Sequence, residues 1–133
     1  MEEGIVAGGG KALLSAMPEL DDVSLGRSPD ELRGVLIVHD ALEAPMRQIA
    51  LNAGVDADAV IDRIADFPSS PWAMNYPFDN HGYDAATGRY GDLIAAGIID
   101  PAKVVRCALQ NAASVASTLL LTEASVCTIQ EKK

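Results

Sequence analysis

Apolar side chains recur at three- and four-residue steps from Val35 through Val38, Leu42, Met46 and Ile49 to Ala53, the period of a helix with one buried stripe. Arg33, Asp40, Glu43 and Arg47 fall off that stripe. Ser28-Pro29-Asp30-Glu31 marks the helix start: a capping box with proline at the first helical position. Pro45 predicts a kink near residues 42–44 rather than a break, and Gly54 predicts the stop. Asp56 caps a shorter predicted helix through Val60, Ile61 and Ile64 that ends before Phe67-Pro68. The clearest pattern is the last. Asp100 is expected as N-cap and Pro101 as first residue of a helix over 101–122, with Val105, Leu109, Ala112, Ala116 and Leu120 along one face. Leu109 and Ala116 are expected to point inward.

Between these helices the pattern is less regular. The glycine run Gly8-Gly9-Gly10 feeds a short helix from Lys11, which Pro18 is expected to stop, leaving 21–27 as a polar loop. Residues 69–80 hold Pro71, Trp72, Tyr76, Pro77 and Phe78 and predict a loop or short strands. A small hairpin is expected within 76–90, turning at 85–88, where Gly88 tolerates positive φ. Residues 125–130 alternate and favour a terminal strand, whose exposed edge wants a partner. The fold class is mainly α, as one domain over 1–133.

Composition narrows the function. In 133 residues, 49% are hydrophobic and only 5% aromatic, so the core is expected to be aliphatic, alanine-rich and helical. A net charge of −9 argues against nucleic acid and anionic membranes as partners, since both need a basic patch. Cys107 and Cys127 make neither a disulfide framework nor a metal spacing; they read as a buried small hydrophobe and a strand thiol in a reducing compartment. Met1-Glu2-Glu3 opens no signal peptide, and the apolar segment 112–121 is too short to span a bilayer. A cytosolic, soluble protein is expected.

Three features could carry chemistry. The glycine run could let backbone groups approach a phosphate or sugar at a helix start, but it is neither the dinucleotide fingerprint nor a Walker loop; alone, it reads better as a flexible turn. Asp100 reads as a helix cap, with one oxygen left to accept from a diol such as ribose. Asp84 and the two alanines after it could set backbone groups against a flat base, with Ile98 packing on its face. On these grounds alone, the structural readings of Asp84 and Asp100 are the stronger. His39 and His81 read as solvated, and no Ser-His-Asp or Cys-His set can be assembled.

Four stretches then fall in order: "EEGIVAGGGKALL" (2–14), "ALEAPMRQIALNAG" (41–54), "YDAATGRYGDLIAAGIIDPAKV" (83–104) and "ALQNAASVASTLLLTEASV" (108–126). Together they closely resemble the C-terminal part of the equatorial domain of group I, GroEL-like chaperonins, over essentially the whole chain. The resemblance implies a helical bundle with a small β-hairpin near a nucleotide site and a C-terminal β-strand that pairs with a neighbouring subunit. It implies ATP as cofactor, with the Mg and K ions held mainly by residues outside this segment. Gly8 and Gly9, with Gly10 beside them, would lie along ribose and phosphates. Tyr83, Asp84, Ala85 and Ala86 would form the adenine-facing segment, Ile98 would pack on the base, and Asp100 would accept from the ribose hydroxyls.

Some features depart from the family pattern. Asp84 stands where Asn is more usual, so it can accept from the adenine amino group but cannot donate to a ring nitrogen. Residues 67–81 are longer and more aromatic than the compact turn expected, and the Gly-Met-rich tail of many members is absent. In the family, the phosphate loop, the metal-binding Asp and the hydrolytic Asp precede this stretch, as do the domains that grip unfolded polypeptide and co-chaperonin. The resemblance thus implies a homo-oligomeric ring of subunits in the bacterial cytoplasm, or an organellar matrix, with no catalytic residue in this segment. The alternative is a stand-alone helical interaction module without ATPase activity.

Overall fold

A computed structural model describes residues 2–65 and 80–127. In chain order the elements are β1 (Ile5–Ala7), α1 (Lys11–Leu14), α2 (Pro18–Ser24), α3 (Pro29–Asn52), α4 (Ala57–Ala65), β2 (His81–Asp84), β3 (Arg89–Asp92), β4 (Ile99–Pro101) and α5 (Ala102–Leu121). The fold is mainly helical with a few short strands. The irregular segment expected over 69–80 lies, but for Asn80, outside the described residues.

α3 starts and stops as its sequence predicts. Glu31 N–H donates to Ser28 Oγ at 3.4 Å, and the Glu31 carboxylate accepts from Ser28 N–H at 2.9 Å. At the other end Gly54 takes φ +75°, with Gly54 N–H donating to the Leu51 carbonyl and Val55 N–H to that of Ala50, the paired bonds of a Schellman stop. Between them the helix runs unbroken through Pro45. Replacing Ser28 by alanine is expected to cost about 0.5–2 kcal/mol, read from the denaturant midpoint. The Ser28 N–H and then its hydroxyl hold the Glu31 carboxyl below its usual range. The ionised cap therefore contributes above the unfolded-state pKa and is lost only as pH falls through the lowered folded value. A carboxyl NMR titration should show the Glu31 midpoint rising in Ser28→Ala.

The core joins the C-terminal half of α3 to α4 and the hairpin. Met46, Ala50, Ala57, Val60, Ile64 and Tyr83 are buried together, flanked by Leu14, Val55, Ile61, Ala85 and Tyr90. Arg47 forks between Glu43 at 2.7 Å and Asp58 at 2.5 Å, tying α3 to the first turn of α4. Towards the start of α3 the stripe emerges, and Leu32, Leu36 and Val38 are exposed.

Several expectations are corrected. Pro18 does not end a helix; it begins α2, and part of the expected polar loop is helical. Proline fits a first turn, where its missing N–H would have had no partner. Asp100 is not the cap of α5: it sits in β4 paired with Val6 of β1, and Pro101 takes the cap position with extended backbone. Strand pairing with the chain's beginning outweighs capping there. The stripe of α5 is not inward-facing, since Leu109 is 38% exposed and Ala116 is exposed. Among the described residues nothing covers that face beyond its first turns, so the cost expected for a fully buried Leu109 does not apply. Of the expected terminal strand, Ser125, Val126 and Cys127 join no ladder, and 128–130 lie outside the described residues. His81 lies half-buried on β2 rather than solvated in a loop; Cys107 is half-buried and Cys127 exposed, both free thiols. The apolar segment expected to be too short for a bilayer belongs to a helix of 20 residues, which by length and composition alone could cross one.

Candidate site at the ladder between β1 and β4

β1 and β4 run antiparallel with Ile5 opposite Pro101, Val6 opposite Asp100 and Ala7 opposite Ile99. The ladder is anchored outside its strands. Glu3 grips Arg106 with two bonds of 2.6 and 3.0 Å, and Glu2 pairs with Lys103. The register brings the glycine loop after β1 onto the residues before β4. Gly8 N–H donates to the Ile98 carbonyl at 3.0 Å, and a Cβ on Gly8 would come within 3.2 Å of the Ile98 carbonyl group.

The next two glycines have left-handed backbones, Gly9 at φ +65° and Gly10 at φ +83°. A Cβ on Gly10 would lie 2.9 Å from the Met46 backbone nitrogen; one on Gly9 would meet only the Tyr83 carbonyl, at 3.8 Å. Packing is tight at Gly8 and closes out a side chain at Gly10, whereas at Gly9 a Cβ would make only ordinary contact. The glycine run is a fixed turn on the core.

Gly9, Gly10 and Asp100 share a cavity of about 550 Å³, walled by Leu42, Pro45 and Ile49 of α3 and by Val105 and Leu109 of α5. That volume suits a small organic ligand. Asp100 is half-buried and does not cap α5. It supplies a carboxylate acceptor beside backbone that carries no side chain, an arrangement able to take a diol. No Lys or Arg among the described residues lines this cavity. Among the described residues no group of three or more His, Cys, Asp or Glu converges for a metal ion.

The hairpin forms where expected, with Tyr83 opposite Tyr90 and Asp84 opposite Arg89, and Gly88 at φ +69° closing the turn. Tyr83 is buried, its ring 5.1 Å from that of Tyr90, and Arg63 caps the Tyr90 ring at 4.4 Å. Only the Tyr83 backbone therefore faces the glycine loop. Asp84 Oδ1 accepts from Ala86 N–H at 2.9 Å and Oδ2 from the Thr87 hydroxyl at 2.7 Å. These bonds, the Thr87 hydroxyl first, hold the Asp84 carboxyl below its usual range. Asp84, Ala85 and Ala86 stand on the turn and do not line the cavity of Asp100. Ile98 links the two regions, its N–H bonded to the Leu93 carbonyl at 2.8 Å and its carbonyl to Gly8. Asp-x-x-Thr-Gly is a turn spacing in which side chains commonly bond within the turn, and it is the sequence signal for Thr87.

A helical scaffold with two short antiparallel ladders, one carrying a glycine turn and a strand-borne carboxylate, has the fold of a chaperonin equatorial-domain segment. A family model described as the TCP-1/cpn60 chaperonin family matches residues 1–130. The chain belongs to that family. A group III chaperonin in the open state is similar at 31% identity over 94% of this chain, with a TM-score of 0.79. The open-state monomer of a group II chaperonin from Methanococcoides burtonii is similar in fold, at 23% identity over 89% of the chain and a TM-score of 0.73. The chain spans 24% and 28% of those two proteins, about a quarter of their length. Neither belongs to the group I proteins that the sequence resembles.

Proposed function

We propose that this segment is the C-terminal part of the equatorial domain of an ATP-dependent chaperonin subunit that works in a ring and assists protein folding. The four stretches quoted above favour a group I member, in the cytoplasm or an organellar matrix. In this reading Gly8, Gly9 and Asp100 form the ribose wall of the nucleotide site. Ile98 and the turn Asp84-Ala85-Ala86 lie towards the base, and Tyr83 contributes backbone only. In this reading the phosphates and the Mg and K ions are held mainly by residues outside the segment. The observation that carries the reading is the shared cavity of Gly9, Gly10 and Asp100, assembled by the ladder between β1 and β4.

Asp100→Asn tests it in the full protein that carries the segment. Asp100 caps no helix, so the start of α5 should be unaffected. The substitution removes a charged acceptor, and bonds to charged groups are worth roughly 1.5–3 kcal/mol against about 1 for neutral ones. ATP affinity is expected to fall about tenfold, close to 1.4 kcal/mol, while deoxyribose ATP loses much less. Calorimetric titration of both nucleotides into both proteins decides; equal losses would remove the ribose role.

A second reading, a helical interaction module without ATPase activity, is favoured by one observation. Leu119, Leu120 and Leu121 at the end of α5 and Leu36 and Ile37 on α3 are all exposed. Nucleotide binding by the full protein separates the two readings.

A further inference from the structure

The glycine turn rests on two supports that belong to one packed group. A Cβ on Gly9 would meet the Tyr83 carbonyl at 3.8 Å, and one on Gly10 would lie 2.9 Å from the Met46 backbone nitrogen. Met46 and Tyr83 are buried in the same cluster. The Tyr83 ring leans on that of Tyr90, 5.1 Å away and tilted by 49°. The row ends at Arg63, whose guanidinium carbon lies 4.4 Å from the centre of the Tyr90 ring. A two-stranded hairpin is marginal by itself and takes its position from what packs against it. Arg63 is exposed on the last turn of α4, so its reach to Tyr90 ties the hairpin to that helix from outside the core.

Resting on the nucleotide-site reading, we infer that Arg63 is a positioning residue for that site. Stacked on Tyr90, its guanidinium holds β3 and, through the ring pair, β2 against α4. Tyr83 then backs the turn that brings Gly9 and Gly10 to the cavity of Asp100. Arg63 does not line that cavity, so its effect on a ligand runs through the turn. A planar guanidinium suits the face of an aromatic ring better than a compact ammonium does. Removing it leaves the hairpin, and with it the glycine turn, less firmly held.

The test is calorimetric titration of ATP into the full protein that carries the segment, paired with the denaturant midpoint of each variant. Arg63→Met keeps an unbranched side chain and removes the cation. ATP affinity is expected to fall about two- to fivefold, the full worth of an exposed cation–π contact. Arg63→Lys, which keeps a cation over the ring, should recover part of the loss, and Tyr90→Phe, which keeps the ring, should bind as wild type does. Tyr90→Leu should lose at least as much as Arg63→Met, and adding Arg63→Met to it should cost nothing further, because both act through one contact. Unchanged ATP affinity in Arg63→Met, whatever its midpoint, would make the residue structural only and overturn the inference. So would an equal loss from Arg63→Met with and without the Tyr90 ring, since the cation would then act on the nucleotide by its charge. Either result leaves the nucleotide site standing. Failure of wild type to bind ATP would sink the nucleotide-site reading, and this inference with it.

Discussion

Met46→Ala is expected to lower the free energy of unfolding by about 2–5 kcal/mol, the range for truncating a large buried side chain. Met46 has no exposed surface and sits where α3, α4 and β2 meet, among Ala50, Val60, Ile64 and Tyr83. Its neighbours cannot easily close the gap. Ala50 and Ala57 are too small to reach across, and Tyr83 is held by its ladder and by the Tyr90 ring. The measurement is the denaturant midpoint at unchanged slope. Leu36→Ala is the control, because Leu36 is 53% exposed on the same helix. Equal shifts for the two variants would mean that the core has been misplaced.

Gly10→Ala should be of the same order, for a different reason. A left-handed backbone costs a residue with a Cβ roughly 1–2 kcal/mol. At Gly10, with φ +83°, the new carbon would also sit 2.9 Å from the Met46 nitrogen and 3.1 Å from its Cα. Those are backbone atoms, so no change of rotamer relieves the clash. Overpacking of this kind adds typically 1–3 kcal/mol, for a total of roughly 2–5 kcal/mol. Gly9→Ala shares the left-handed backbone but meets nothing closer than 3.8 Å, so it should show the conformational cost alone. The pair separates two uses of glycine in one run. Gly10 admits the helix beside it, whereas Gly9 serves the turn by its backbone alone. Equal destabilisation by both substitutions would show that the close approach to Met46 is absent. The stability loss is measured without nucleotide, so a binding role cannot masquerade as it.

The candidate site was partly legible in the sequence. The glycine run and Asp100 were both singled out, but alone each had a stronger structural reading. The resemblance of the four stretches to chaperonins, and not any local chemistry, joined them. The structure then altered the reason for each. Asp100 was read as a cap with an oxygen to spare; it is a strand residue that caps nothing. Asp84, structural on its own residues and an adenine contact only by resemblance, accepts from the Ala86 N–H and the Thr87 hydroxyl of its own turn. Tyr83, implied as a contact, keeps its ring in the core.

What the sequence determined by itself is what nearest neighbours decide. The capping box of α3, the glycine stop after it, the start of α4 at Asp56 and the hairpin closing at Gly88 all depend on bonds between residues a few positions apart. Their signals survive without the rest of the molecule. Tertiary structure decided what needed a partner from elsewhere. The ladder between β1 and β4 pairs residues more than ninety positions apart, and no local pattern in three-residue strands foretells it. The same ladder turned a predicted cap into a strand residue, because a paired backbone must stay extended where a helix would begin. A periodic stripe likewise says only that a face can be buried. On α3 Leu42, Met46 and Ala50 are buried, whereas Ile49 is half-buried and Ala53 exposed; on α5 the face is left exposed past the first turns, because nothing among the described residues covers it.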